Sequence, residues 1–121
     1  MSRKFIYVIF ACILFFVSSV GAQSFPSKPI RIVVTFPPGG SADLLARALG
    51  EKLSTSMGQP VIVDNKPGAG GIAGAEFVTK ATPDGHTLLF ANTNIAINPS
   101  LYGKLPYDTS TALAPVVMLA Y

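Results

Sequence analysis

Ile30-Arg-Ile-Val-Val-Thr-Phe-Pro-Pro-Gly-Gly-Ser-Ala-Asp43 is the stretch on which the fold turns. Ile30 to Phe36 is apolar and β-branched, the composition of a buried strand. Pro37-Pro-Gly-Gly40 must break that strand. Ser41 then suits the N-cap of a helix from about Ala42 to Met57, with Asp43 in the first turn, where negative charge complements the helix dipole. Leu45, Leu49, Leu53 and Met57 recur every fourth residue, with Leu44 and Ala48 beside them. They predict one apolar stripe, leaving Arg47, Glu51 and Lys52 on the solvated side. Gly58 stands where a helix commonly ends.

Outward from this unit the pattern repeats. Pro60 to Asp64 reads as a second strand, and Asn65-Lys-Pro-Gly-Ala-Gly-Gly71 as a glycine-rich loop. Ile72 to Ala81 reads as a second helix, Thr82-Pro-Asp-Gly85 as a turn and His86 to Ala91 as a third strand. Residues 95–112 read as irregular, with one helical turn near Asn98 to Tyr102, and Ala114 to Tyr121 as the start of a further strand. The order β-α-β-α-β predicts an α/β layer fold with a parallel sheet. Right-handed crossovers would set both helix N-termini at the carboxyl ends of the strands, the edge at which open α/β sheets bind ligands.

The first 22 residues read separately. Met1-Ser-Arg-Lys4 is basic, Phe5 to Val20 is almost wholly apolar, and Val20-Gly-Ala22 offers small residues at cleavage spacing. This is the three-part pattern of a secretory signal peptide, with cleavage expected after Ala22 and a periplasmic destination. An uncleaved anchor or a lipoprotein through Cys12 are the alternatives; the run is short for an anchor and continues past Cys12. The remaining 99 residues are about 44% apolar, with seven Lys or Arg against six Asp or Glu. A net charge of +1 without a basic cluster argues against nucleic acid as a partner. The only cysteine lies in the leader and there is a single histidine, so disulfides and a structural zinc site are not expected. No cofactor is expected.

Three loops on one sheet edge carry the candidate chemistry. Pro38, Gly39, Gly40 and Ser41 join a strand end to a helix start, where backbone N–H groups and the dipole favour an anion. The same residues also fit a tight turn with a capping serine. Gly68-Ala-Gly-Gly-Ile-Ala73 loosely matches a dinucleotide pattern, but Asn65-Lys-Pro67 separates it from the strand and Asn92 stands where an acid is needed. Asn92, Thr93 and Asn94 end the third strand; such side chains bind small polar solutes or satisfy their own loop backbone. No nucleophile elbow is present, and His86 opens a strand, away from Ser41. Enzymatic activity is not expected.

Together with Ser27-Lys-Pro-Ile-Arg-Ile-Val-Val34, Pro83-Asp-Gly-His-Thr-Leu-Leu89, Asn98-Pro-Ser-Leu-Tyr102 and Lys104-Leu-Pro-Tyr-Asp108, these loops resemble the Bug family, the extracytoplasmic receptors of tripartite tricarboxylate transporters. The motifs run in register over residues 26–121. His86, where the family often has tyrosine, and Thr109 to Ala112 depart from the pattern. The resemblance implies a two-lobed, three-layer, type II periplasmic-binding-protein-like fold that closes on a small organic carboxylate and delivers it to membrane transporter subunits. It implies contacts from Pro38, Gly39, Gly40, Ser41 and Asp43 in the first loop, with Asp43 as an organiser of the loop rather than a direct partner. It implies further contacts from Gly70 and Gly71, and from Asn92, Thr93 and Asn94. Family receptors are much longer, so residues 23–113 would be part of the first lobe and residues 114–121 the start of the crossover to a second lobe absent from this chain. The alternative is a truncated, non-binding remnant of such a receptor.

Overall fold

The computed structural model describes residues 24–119. The leader reading of residues 1–22 lies outside them. The elements are β1 (Ile30–Val34), α1 (Ser41–Met57), β2 (Val61–Asn65), a 3-10 turn (Ala69–Gly71), α2 (Ile72–Thr79), β3 (Thr87–Phe90), α3 (Asn94–Leu101) and α4 (Thr109–Ala112). The strands form a parallel sheet in the order β2-β1-β3, with Ile32 level with Val63 on one side and Leu88 on the other. The expected α/β class and parallel sheet are therefore present.

β1 is central, and its composition follows from that. A strand bonded on both edges and covered on both faces needs apolar side chains in both directions. Ile30, Ile32, Val33 and Val34 are all essentially inaccessible. Ile32 and Val34 pack with Ala46 of α1, joined by Leu53, Val61, Val63, Leu88 and Phe90. Strand alternation sends Val33 and Thr35 to the opposite face. There the start of α2 lies against Thr35: a Cβ on Gly74 would stand 3.0 Å from Thr35 Cγ2 and 3.0 Å from the Lys66 carbonyl oxygen. Helices thus cover both faces.

Four local expectations are corrected. The face of α1 that meets the sheet carries Ala46 and Gly50, not the leucine stripe; Leu44 and Leu45 are 62% and 56% exposed. Small residues win that face because the helix runs close to β2, where a Cβ on Gly50 would lie 3.3 Å from Val61 Cγ1. Of the stripe, Leu53 packs against the core. The N-cap is Gly40, with Ser41 as the first helical residue and no capping bond from its hydroxyl. Residues 94–101 form a full helix despite Pro99, where only a turn at Asn98 to Tyr102 was expected. Residues 114–119, read as the beginning of a strand, have no regular structure and are exposed; among the described residues the sheet ends with β2 and β3, and neither pairs with them. The expected stop at Gly58 is present, with φ +67 and its N–H donated to the Ser54 carbonyl.

The N-terminal lead-in is clasped to the turn before β3. Lys28 Nζ lies 2.6 Å from Asp84 Oδ2, and Asp84 Oδ1 accepts the His86 backbone N–H at 3.0 Å. The Ser27 N–H donates to His86 Nε2 at 3.3 Å, and the Phe25 ring lies 4.8 Å from the imidazole. An accepting Nε2 leaves the ring proton on Nδ1, 3.1 Å from the Asp84 carbonyl oxygen.

Two outcomes follow. Gly74→Val drives a branched side chain into Thr35 and the Lys66 carbonyl, and should cost about 1–3 kcal/mol in a denaturant melt. The Lys28 ammonium and the His86 N–H hold the Asp84 carboxyl down to about 2. A group whose pKa falls on folding adds stability above its unfolded pKa, about 3.9, and loses it as pH drops towards the folded value. Comparison of Asp84→Asn with the parent chain should therefore show a stability deficit at pH 5–7 that closes between about pH 4 and pH 2. A deficit constant across that range would sink the clasp.

Candidate functional site

The three loops leave the same edge of the sheet. Thr35–Gly40 follows β1, Lys66–Gly68 leads from β2 into the 3-10 turn, and Ala91–Thr93 follows β3. In the order β2-β1-β3 the chain leaves β1 towards one side and reaches β3 by crossing over the sheet. The boundary between β1 and β3 is then a topological switch point, where α/β sheets open a crevice at their carboxyl ends.

In the first loop Pro38, Gly39, Gly40 and Ser41 are exposed. The first intrahelical bond runs from the Leu44 N–H to the Gly40 carbonyl at 3.0 Å. The N–H groups of Ser41, Ala42 and Asp43 therefore have no acceptor within the helix, and they sit at the positive end of a 17-residue helix. Gly39 differs: at φ +87 its N–H turns inward and donates to Asp43 Oδ2 at 2.9 Å. The expected backbone donors thus divide. Gly40 and Ser41 stand exposed at the helix start, while the Gly39 N–H serves the loop itself.

Asp43 is buried, with 3% of its surface exposed. Oδ2 also accepts Arg47 Nε at 3.0 Å, and Oδ1 accepts Asn65 Nδ2 at 3.0 Å. The Arg47 guanidinium foremost, then the Gly39 N–H and the Asn65 amide, hold its carboxyl down to about 2. With both oxygens engaged inside the protein, Asp43 organises the loop.

The second and third loops are joined to this frame. Gly71 is buried at φ +94, and a Cβ there would meet Thr35 Cβ at 3.2 Å. Its N–H donates to the Gly68 carbonyl at 2.9 Å. Gly71 therefore lets the turn pack against the exit of β1, whereas Gly70, at φ +64, is exposed. Asn98 of α3 is 3% exposed and donates Nδ2 to the Gly70 carbonyl at 3.2 Å. This links the second loop to the helix that begins at the third. Asn92 Oδ1 accepts the Asn94 N–H at 3.0 Å, closing its own loop, and Asn92 and Thr93 are exposed while Asn94 is half-buried.

Sequence reasoning missed Asn65 and Asn98 as structural ties. Their partners lie 29 and 28 residues away, beyond any local pattern. His86 sits at the opposite edge, where its carbonyl accepts the Arg31 N–H at the start of β1, so it has no access to Ser41. A hollow of about 510 Å³ lies along α3, lined by residues that include Ala96, Tyr102 and Tyr107, and takes in none of the predicted contacts. Among the described residues no group of three His, Cys, Asp or Glu side chains could hold a metal ion.

Comparison with known proteins identifies the family and agrees with the fold. The family described as "Tripartite tricarboxylate transporter family receptor" matches residues 45–121. BugT of Bordetella pertussis is 43% identical over 102 residues, covering 83% of this chain and 31% of the relative. An R. palustris protein solved with adipate is 34% identical, with a TM-score of 0.68 over 72% of this chain and 29% of that one. MatC from Rhodopseudomonas palustris, solved with bound malate, is 34% identical with a TM-score of 0.60 over 73% of this chain and 30% of that one. The chain thus spans about a third of the length of these relatives. Sequence, sheet order and solved structures converge, and the chain belongs to the tripartite tricarboxylate transporter receptor family, which includes the Bug proteins.

Proposed function

We propose that this chain supplies part of the first lobe of a periplasmic receptor for a small organic carboxylate, passed on to a membrane transporter of the tripartite tricarboxylate type. The observation that carries the reading is the outward-facing N-terminus of α1 at the switch point beside β1. Uncommitted N–H groups and the helix dipole favour a carboxylate there without needing a cationic side chain. Two similar proteins hold dicarboxylates, adipate and malate, which supports a carboxylate as the ligand class. Binding would be followed by closure of a second lobe, the means by which two-lobed binding proteins bury a solute. Pro38, Gly40 and Ser41, with Gly70, Asn92 and Thr93 at the neighbouring loops, are the proposed contacts; Gly39, Asp43, Gly71 and Asn94 shape them.

The chemistry is that of binding. The site holds no paired carboxylates and no base near Ser41, so no bond-making step is assigned to it. Secretion through a leader cleaved after Ala22 would place the receptor where its solute is free.

Malate titrated into the isotopically labelled chain, followed by amide shifts, tests this reading at weak affinity. The expected result is saturable movement of the Gly40, Ser41, Ala42 and Asp43 amides, with none for the uncharged diamide of malate. Gly39→Ala, which puts a side chain at φ +87, should weaken the response by about 1–2 kcal/mol of backbone strain while helix content holds. Equal shifts for malate and its diamide would contradict carboxylate recognition.

A further inference from the structure

Asn65 ends β2, and its side chain bonds to three parts of the first loop's frame. Nδ2 donates to the Phe36 carbonyl at 3.1 Å and to Asp43 Oδ1 at 3.0 Å. Oδ1 accepts Arg47 Nη2 at 3.2 Å. One amide thus joins the exit of β1, the buried acid in the first turn of α1 and the cation one turn later. The ring is completed by Asp43 Oδ2, which accepts both the Gly39 N–H and Arg47 Nε.

The loop needs such a tie. Pro37 and Pro38 have no N–H to anchor it, and Gly39 and Gly40 are conformationally free. A carboxylate at the start of a helix would also repel an incoming anion unless its charge is met locally. Arg47 meets the charge, and Asn65 fixes the direction of both groups.

We propose that Asn65, together with Arg47, is a positioning residue of the carboxylate site, acting through Asp43 to hold the N–H groups of Gly40, Ser41 and Ala42 converged on the ligand. This rests on the receptor reading above. The residues do not touch the ligand; they set where the loop points. Positioned donors bind better than mobile ones because the ordering cost is met before the ligand arrives.

The test uses the 121-residue chain and two variants, Asn65→Ala and Arg47→Gln. Arg47 is half exposed, so its substitution leaves a folded chain should the first variant fail to fold. Three quantities are read by amide NMR: hydrogen exchange at Gly39 against Val33, the pH midpoint of the Gly39 amide shift, and the malate concentration for half-maximal movement of the Ser41 amide. Asn65→Ala should speed exchange at Gly39 about tenfold while Val33 is unchanged, and raise the malate midpoint about tenfold. In both variants the Gly39 pH midpoint should move upward, because the Asp43 carboxylate has lost a donor. A residue that merely held the fold together would speed Val33 as well and leave the pH midpoint in place; that result overturns the proposal. So does an unchanged malate midpoint with Gly39 loosened. If the parent chain shows no malate shifts, the receptor reading fails, while the Gly39 exchange and pH readouts still decide whether Asn65 directs the loop.

Discussion

The parallel pairing of β1 between β2 and β3 is the constraint from which the rest follows. Each edge of β1 is taken by a neighbour and each face by a helix, so its side chains must be apolar in both directions. That burial fixes where the chain can emerge. The backbone leaves the sheet at Thr35 and Phe36, and the prolines and glycines that follow let it turn sharply into α1. Hydrophobic packing thus delivers the N-terminus of a long helix to the middle of the sheet's carboxyl edge, next to the switch point.

At that edge the chain faces an electrostatic problem. The helix start attracts anions, and the nearest side chain able to claim it is the protein's own Asp43. The conflict is resolved by turning the carboxylate inward, where Gly39, Arg47 and Asn65 consume its acceptor capacity. In the proposed receptor the N–H groups of Gly40, Ser41 and Ala42 are then the ones open to a solute. The second loop is held by Gly71 against Thr35, and the third helix by Asn98 on Gly70, so the three loops form one connected frame. Exposed ion pairs such as Lys80 with Glu76 contribute little to this, as surface pairs generally do.

Most of the architecture was legible in the residues. The β-branched run from Ile30 to Val34, the breaker at Pro37 to Gly40 and the stop at Gly58 each impose a local conformation on almost any context. What was not legible depends on distant partners. The leucines of α1 look like a core stripe until Gly50 is seen against Val61, where only a small residue lets the helix approach. Ser41 has the right chemistry for an N-cap but stands as the first helical residue, and the Asp43 carboxylate reaches back to the Gly39 N–H ahead of the helix, leaving the helix's own first N–H groups uncapped. The third helix reads from sequence only as a turn near Asn98 to Tyr102, because Asn94, Asn98 and Pro99 are poor helix formers; in the fold Asn98 is tied to the Gly70 carbonyl. Of the site, the glycine loops could be read from sequence, while the roles of Asn65 and Asn98 required the fold. Backbone geometry alone leaves the ligand general; the carboxylate class proposed above leans on the similarity to two solved proteins that hold adipate and malate.

The most direct measurement is a crystal structure of this chain grown with malate. A ligand carboxylate oxygen within about 3 Å of the N–H groups at Gly40, Ser41 and Ala42, with Asp43 still turned towards Gly39 and Asn65, is the expected result. Malate bound instead in the hollow along α3, or through Asp43 swung out into solvent, would contradict a carboxylate site built from the N-terminus of α1.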